Sequence, residues 1–72
     1  MNQNIKQKLG QRIKIYRQKL GLTQEQFASE ADIDYKYFQR IEGRNPPNIG
    51  IELIEKIAKT LKLTPSKLLD FK

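Results

Sequence analysis

The first part of the chain carries apolar residues at helical intervals. Positions three or four residues apart share one face of an α-helix, whereas a strand exposes every second residue on one face. The segment from Ile5 to Lys19 follows the helical interval, and Gly21 behind it supplies a left-handed stop. The pattern therefore predicts a first helix over Ile5–Lys19. The residues predicted to face the core are Ile5, Leu9, Ile13, Tyr16 and Leu20.

Three further helices are predicted because the same type of N-terminal capping sequence occurs three times in the chain. In each start an apolar residue precedes a capping side chain, and a second apolar residue five positions on can pack against the first. The three starts are Leu22-Thr23, with Gln26 completing a capping box, Ile33-Asp34, and Leu63-Thr64-Pro65; their apolar partners are Phe27, Phe38 and Leu68. The second helix is predicted to end near Ala31 and to bury Phe27, Ala28 and Ala31. The last is predicted to run from Pro65 to about Leu69.

A loop with two prolines separates the third helix from a fourth. Pro46 and Pro47 forbid helix and hold Asn45 extended. The fourth helix is predicted from about Ile51 to Lys62, with either Asn48 or Gly50 as its cap. Its inward residues are Ile54, Ile57, Ala58 and Leu61. Five helices predict an all-α fold, one compact domain over residues 1–72 with its core at about 5–69.

The second and third helices are joined by a tight turn, which predicts a helix-turn-helix at about residues 23–42. In such motifs the exposed side of the second helix enters the major groove of DNA. Phe38 and Ile41 point to the core, so the opposite side of the third helix carries Lys36, Gln39, Arg40 and Gly43, with Tyr35 and Tyr37 on the flanks.

The exposed side of this helix suits base edges. Arginine and lysine favour guanine, and a tyrosine ring can pack on a thymine methyl group. The predicted base-reading residues are Tyr35, Lys36 and Arg40, with Gln39 beside them. Tyr37 is left with three alternatives: contact with a base, contact with a phosphate, or packing on the second helix.

The net charge of the chain predicts an anionic binding partner. The chain has 14 basic and 8 acidic residues, a net charge of +6. All of the excess lies in residues 1–24, which contain no acid, so non-specific DNA affinity is expected mainly from the first helix and the proline loop. A solvated basic helix is the alternative interpretation, and Lys14 and Lys19 are interpreted as solvated.

Composition also excludes several classes of function. The chain has no cysteine and no histidine, which removes disulfides, thiolate metal sites and the usual acid/base at neutral pH. No carboxylates cluster at a predicted cleft, so no enzyme activity, metal, cofactor or small-molecule ligand is predicted. No apolar run could span a membrane, and Met1–Asn4 lacks the core of a signal peptide; the predicted location is cytoplasmic.

Several short motifs match one family. They are RQKLGLTQ at Arg17–Gln24, Phe27-Ala28, Arg40-Ile41-Glu42, Asn45-Pro46, Ile57–Leu61 and Leu68-Leu69. With them, the segment from Leu9 to Leu69 resembles the repressor-like helix-turn-helix domains of phage repressors and small bacterial regulators (the Xre/Cro family). Asp32 stands where that family usually has a glycine in the turn, and aspartate tolerates the left-handed conformation.

The resemblance implies roles for residues outside the reading helix. Residues at the start of the second helix, in the proline loop and on a flank of the first helix would bind DNA phosphates. The residues matched to phosphate contacts are Gln24, Thr23, Arg12, Arg44 and Asn45. Arg17 and Glu42 match a family pair that ties the first helix to the end of the recognition helix.

Two functional hypotheses follow. The first is a sequence-specific transcriptional regulator, a repressor, that binds a near-palindromic operator on double-stranded DNA as a homodimer, because one helix reads only a few base pairs. Its dimer surface is predicted on helices four and five and the C-terminus, at Leu63, Leu69 and Phe71, although Phe71 could equally fold onto its own core. The second is a protein-interaction module on the same fold, such as an antitoxin or co-regulator. Lys36 and Arg40 favour DNA.

Overall fold

The computed structural model describes residues 4–71, which form five α-helices. They are α1 (Ile5–Lys19), α2 (Gln24–Ala31), α3 (Tyr35–Ile41), α4 (Ile51–Thr60) and α5 (Pro65–Leu68). Residues 4–71 contain no strand, so the predicted all-α class is confirmed. Within the same range, no helix is both long and apolar enough to cross a membrane.

The helices begin where capping chemistry predicts. Thr23 and Gln26 form the reciprocal capping box, with hydrogen bonds of 2.9 and 3.0 Å between side chain and backbone. Side chains also cap the other starts, except at α4: Asn4 for α1, Asp34 for α3 and Thr64 for α5. At α4 the cap is Gly50 without a side-chain hydrogen bond, which decides between Asn48 and Gly50.

Three helices end in the same way. A left-handed residue follows each, namely Gly21 (φ 74°), Asp32 (φ 57°) and Lys62 (φ 64°). The next residue in each case donates its N–H to a carbonyl five positions back, at 2.8–3.3 Å. Those donors are the apolar residues Leu22, Ile33 and Leu63, which also precede the next helix start. One residue therefore closes a helix and begins the connection to the next.

The end of α4 differs from the prediction. The helix stops at Thr60 rather than Lys62, because Lys62 adopts the left-handed conformation that closes the helix. Unlike Gly21, a lysine carries no local signal for this conformation.

The core is built around two stacked phenylalanines. The rings of Phe27 and Phe38 are fully buried, with centroids 4.8 Å apart. Around them lie Leu9, Ile13, Ala28, Ala31, Ile41, Ile57, Ala58, Leu61 and Leu68. Two predicted core residues are wrong: Ile5 is 65% exposed and Leu20 is 40% exposed. Ile5 is the first residue of α1, and Leu20 is the residue that caps its C-terminal end.

Helix α1 meets the end of α3 at a glycine. A Cβ atom on Gly10 would overlap the carbonyl oxygen of Ile41, so the backbones of the two helices approach directly. Gly10 is buried, with Leu9 and Ile13 on the same side of α1. This contact sets the distance between α1 and the C-terminal end of the predicted reading helix.

Candidate nucleic-acid interface

A buried ion pair fixes the C-terminal end of α3. Arg17 donates from Nε to Glu42 Oε2 at 2.8 Å and from Nη2 to Oε1 at 3.0 Å, a bidentate arrangement. The two side chains are only 7% and 1% exposed. The third nitrogen, Nη1, donates to the carbonyl of Leu22 at 2.7 Å. The structure thus brings together the pair that the family resemblance implies, and the pair joins α1, the α1–α2 turn and α3.

Gln24 is attached to the same carboxylate. Its Nε2 donates to Glu42 Oε1 at 3.0 Å, which orients the side chain at the first residue of α2. Thr23, just before it, is exposed, and its hydroxyl oxygen already accepts from the Gln26 N–H. The hydroxyl hydrogen of Thr23 and the second N–H of Gln24 Nε2 are the donors with which this helix start could contact a phosphate.

The outer side of α3 presents polar and cationic side chains beside the loop that follows it. An open depression of about 600 Å³ is lined by Lys36, Gln39, Arg40, Gly43, Arg44 and Asn45. Lys36, Gln39 and Arg40 are all exposed. The structure therefore places three of the predicted base-reading residues next to two of the predicted phosphate-binding residues, on one surface.

The two tyrosines of α3 occupy different environments. Tyr35 is 40% exposed, and its hydroxyl accepts from Gln39 Nε2 at 3.3 Å. Tyr37 is half-buried against the core, with the Arg40 guanidinium 6.0 Å from its ring centroid. Contact of Tyr37 with a base or a phosphate stays a prediction. Its ring also supports Arg40.

One flank of α1 extends this surface. Gln7, Gln11 and Lys14 line a second open depression together with Glu42, Gly43 and Arg44. Gly43 and Arg44 line both depressions, which are therefore adjacent. Gln7 Nε2 donates to the carbonyl of Arg44 at 3.1 Å and so ties α1 to the loop.

Sequence reasoning missed this flank. It omitted Gln7 and Gln11 and interpreted Lys14 as solvated. The spacing of four and three residues puts all three on one side of a helix, but the pattern does not say which neighbour lies beside that side.

Comparison with known proteins identifies the fold. The family model described as a helix-turn-helix domain matches residues 10–72. The control protein C.BamHI of Bacillus amyloliquefaciens is 39% identical over 72 residues, which covers 99% of this chain and 88% of C.BamHI. The chain belongs to the helix-turn-helix family. Membership confirms the resemblance to Xre/Cro regulators, and the protein is a DNA-binding regulator rather than an enzyme.

Two further similarities agree with this membership. The HTH-type transcriptional regulator SinR of Bacillus subtilis (strain 168) is 34% identical over 64 residues, covering 89% of this chain and 58% of SinR. The solved structure of the nucleoprotein complex C.Esp1396I superposes with a TM-score of 0.77 at 28% identity. That match covers 99% of this chain and 100% of the other.

One predicted site residue of this helix-turn-helix protein lies elsewhere. Arg12 Nη2 donates to the carbonyl of Lys67 at 2.9 Å, and its guanidinium lies 5.2 Å from the ring centroid of Tyr16. Arg12 is thus on the flank of α1 that faces α5, whereas Lys14 is on the flank beside the α3 loop. Arg12 therefore lies away from the depression beside the α3 loop, which Lys14 lines, and its phosphate contact stays a prediction.

The acidic residues of the motif are mostly engaged within the fold. Glu42 is buried in the ion pair, Asp34 caps α3, and Asp32 occupies the left-handed turn. Glu25 and Glu30 are exposed. Among residues 4–71, no group of acidic side chains is arranged to hold a metal ion.

Proposed function

We propose that this protein is a sequence-specific transcriptional repressor that binds its operator with α3 in the major groove. The observation that carries the proposal is the exposed row of Lys36, Gln39 and Arg40 on a short helix whose end is fixed by the buried Arg17–Glu42 pair. A rigid helix with that row suits base edges. Repression follows from occupancy, since a bound protein blocks overlapping sites, and DNA in the cytoplasm is the expected target.

The polar and aromatic side chains of α3 divide into four that contact bases and one that supports Arg40. Lys36 and Arg40 donate to guanine, and Gln39 can pair with adenine. Tyr35, at the start of the helix, packs on a thymine methyl group. Tyr37 acts indirectly, because its half-buried ring lies under Arg40 and limits the directions that the guanidinium can take.

Phosphate contacts flank the reading helix on two sides. Thr23 and Gln24 lie on one side, at the N-terminus of α2, and Arg44 and Asn45 lie on the other, in the loop. We add Lys14, because the depression that it lines also contains Arg44. These groups bind every sequence alike and hold α3 in register with the bases.

The operator is proposed to be near-palindromic and bound by a homodimer. One α3 reads only a few base pairs, so useful specificity needs two copies about one helical turn apart. Of the predicted dimer residues, Leu63 and Phe71 are half-buried against their own core, and Leu69 is 37% exposed. The proposed surface therefore keeps Leu69 and extends from it to the start of α4.

A groove at the start of α4 is the better dimer surface. Apolar side chains line about 240 Å³ between the α1 N-terminus and the proline loop: Ile5, Pro46, Pro47, Ile49, Ile54 and Leu69. Ile51, on the same end of α4, is 78% exposed. We assign this groove to a second copy, because it adjoins the loop that carries Arg44 and Asn45, so two copies meeting there would present two reading helices to one duplex.

Selection of bound DNA from a random pool tests the proposal. A palindromic consensus, with a footprint on both half-sites, is the expected result. Enrichment of a single unrepeated site would refute the homodimer but keep base reading, and no enrichment at all would favour the protein-interaction alternative.

Sedimentation of the Ile51→Glu variant, with Glu52→Gln as a control, tests whether the groove mediates association.

A further inference from the structure

A second basic surface lies on the flank of α1 that faces α5. A cleft of about 350 Å³ is lined there by Lys8, Arg12 and Lys19 together with Tyr16, Ile15 and Phe71. Its lining contains three cations and no acidic side chain. The regulator's proposed contacts with DNA use none of these residues.

Two of the three cations of this cleft lie over an aromatic ring. Arg12 and Lys19 each lie 5.2 Å from the centroid of the Tyr16 ring. Arg12 also donates to the Lys67 carbonyl at 2.9 Å, while its buried Nε has no hydrogen-bond partner among residues 4–71. The like charges repel one another, and an anion in the cleft would relieve that repulsion.

The three cations of the cleft point away from the proposed DNA surface, although Gln11 lines both the cleft and the depression beside the α3 loop. Arg12 and Lys14 are two residues apart, which places them about 200° apart around α1 at 3.6 residues per turn. Lys14 adjoins Gly43 and Arg44 in the proposed DNA surface, whereas Arg12 faces α5. A duplex seated on α3 therefore leaves Lys8, Arg12 and Lys19 accessible to another partner.

We propose that this cleft binds an acidic protein segment that carries an apolar side chain. Carboxylates of the segment pair with the three cations. Its apolar side chain covers Ile15, which is 52% exposed, and reaches Phe71 at the edge of the cleft. A nucleic-acid backbone would pair with the cations but would leave Ile15 and Phe71 uncovered, so the mixed lining favours a protein partner. Bound in this way, a second protein can attach to the regulator while it is on DNA.

The test uses a short fluorescein-labelled peptide in which glutamate alternates with leucine, titrated with the full chain. The double variant Lys8→Gln/Lys19→Gln should weaken its binding about fivefold to tenfold, as expected for the loss of two partly exposed ion pairs. Ile15→Ser should weaken it as well. The matched control is Lys59→Gln/Lys62→Gln, which removes the same charge outside the cleft and should leave peptide affinity near the wild-type value. Circular dichroism checks that each variant is folded.

Other outcomes overturn the proposal. Absence of peptide binding does so, as does an equal loss in the control variant. Equal affinity for a peptide that alternates glutamate with serine would show a general polyanion surface. If a duplex without the operator loses affinity in the Lys8/Lys19 variant well beyond the control, the cleft binds nucleic acid. Operator binding should fall no further than in the control, so the peptide result and the DNA result can fail independently.

Discussion

Replacing Gly10 by alanine tests the contact on which the DNA surface is built. The new Cβ would overlap the Ile41 carbonyl oxygen, and real Cβ atoms essentially never approach another heavy atom closer than 3.0 Å, so α1 and α3 must separate. The obstacle is backbone, and Glu42, the next residue, is held by the buried ion pair, so no flexible side chain can move aside. The separation should disturb both packing and DNA binding.

Two opposing effects set the size of the change. Alanine is more favourable than glycine in a helix interior by about 1 kcal/mol. Overpacking a well-packed contact costs about 1–3 kcal/mol. We therefore expect a net loss of about 1 kcal/mol in the free energy of unfolding, which lowers the melting midpoint by roughly 4–8 °C for a domain of this size.

Urea unfolding followed by circular dichroism measures this loss. The matched control is Gln11→Ala compared with Gln11→Gly, since Gln11 is exposed at the next position of α1 and reports only helix propensity. The difference between the two measurements isolates the overlap. If Gly10→Ala stabilises the protein as much as the control pair predicts, the close approach of α1 and α3 does not exist. Operator affinity should fall in the same variant, because the surface shared by Lys14 and Arg44 is pulled apart.

Three further predictions concern the interface itself. Arg40→Ala should cost about 1–3 kcal/mol on the operator and relax one base position; an equal loss on every sequence would show that Arg40 only holds phosphate. Lys14→Ala should weaken binding to all sequences alike and reduce the salt slope by about one unit, whereas Lys59→Ala, with its side chain on α4, should do neither. Glu42→Gln leaves the buried Arg17 guanidinium without its counter-charge and should destabilise the fold by about 3–5 kcal/mol in urea unfolding; an unchanged midpoint would mean that the pair contributes nothing.

The local pattern was enough to predict most helix boundaries. Caps, staples and left-handed stops act within a few residues of the chain, so Thr23, Asp34 and Thr64 mark their helices whatever packs around them. The exception is the end of α4, where Lys62 takes a conformation that its side chain does not favour. There the chain must turn to bring Leu63 back to the Ala58 carbonyl, a requirement of the fold rather than of the residue.

Tertiary packing determines which neighbour lies beside each helix face. Periodicity places Arg12 and Lys14 on different sides of α1, but only the packing of α3 and α5 puts Lys14 beside the α3 loop and Arg12 beside α5. For the same reason Ile5 was expected in the core and instead borders the groove at the start of α4. Gly10 is the clearest example of a residue whose role depends on tertiary packing. From the sequence, a glycine inside a helix is expected only to lower helix stability, yet Gly10 is the residue that lets α1 contact the end of α3. Secondary structure follows from short-range chemistry, whereas the interface depends on contacts between residues distant in sequence.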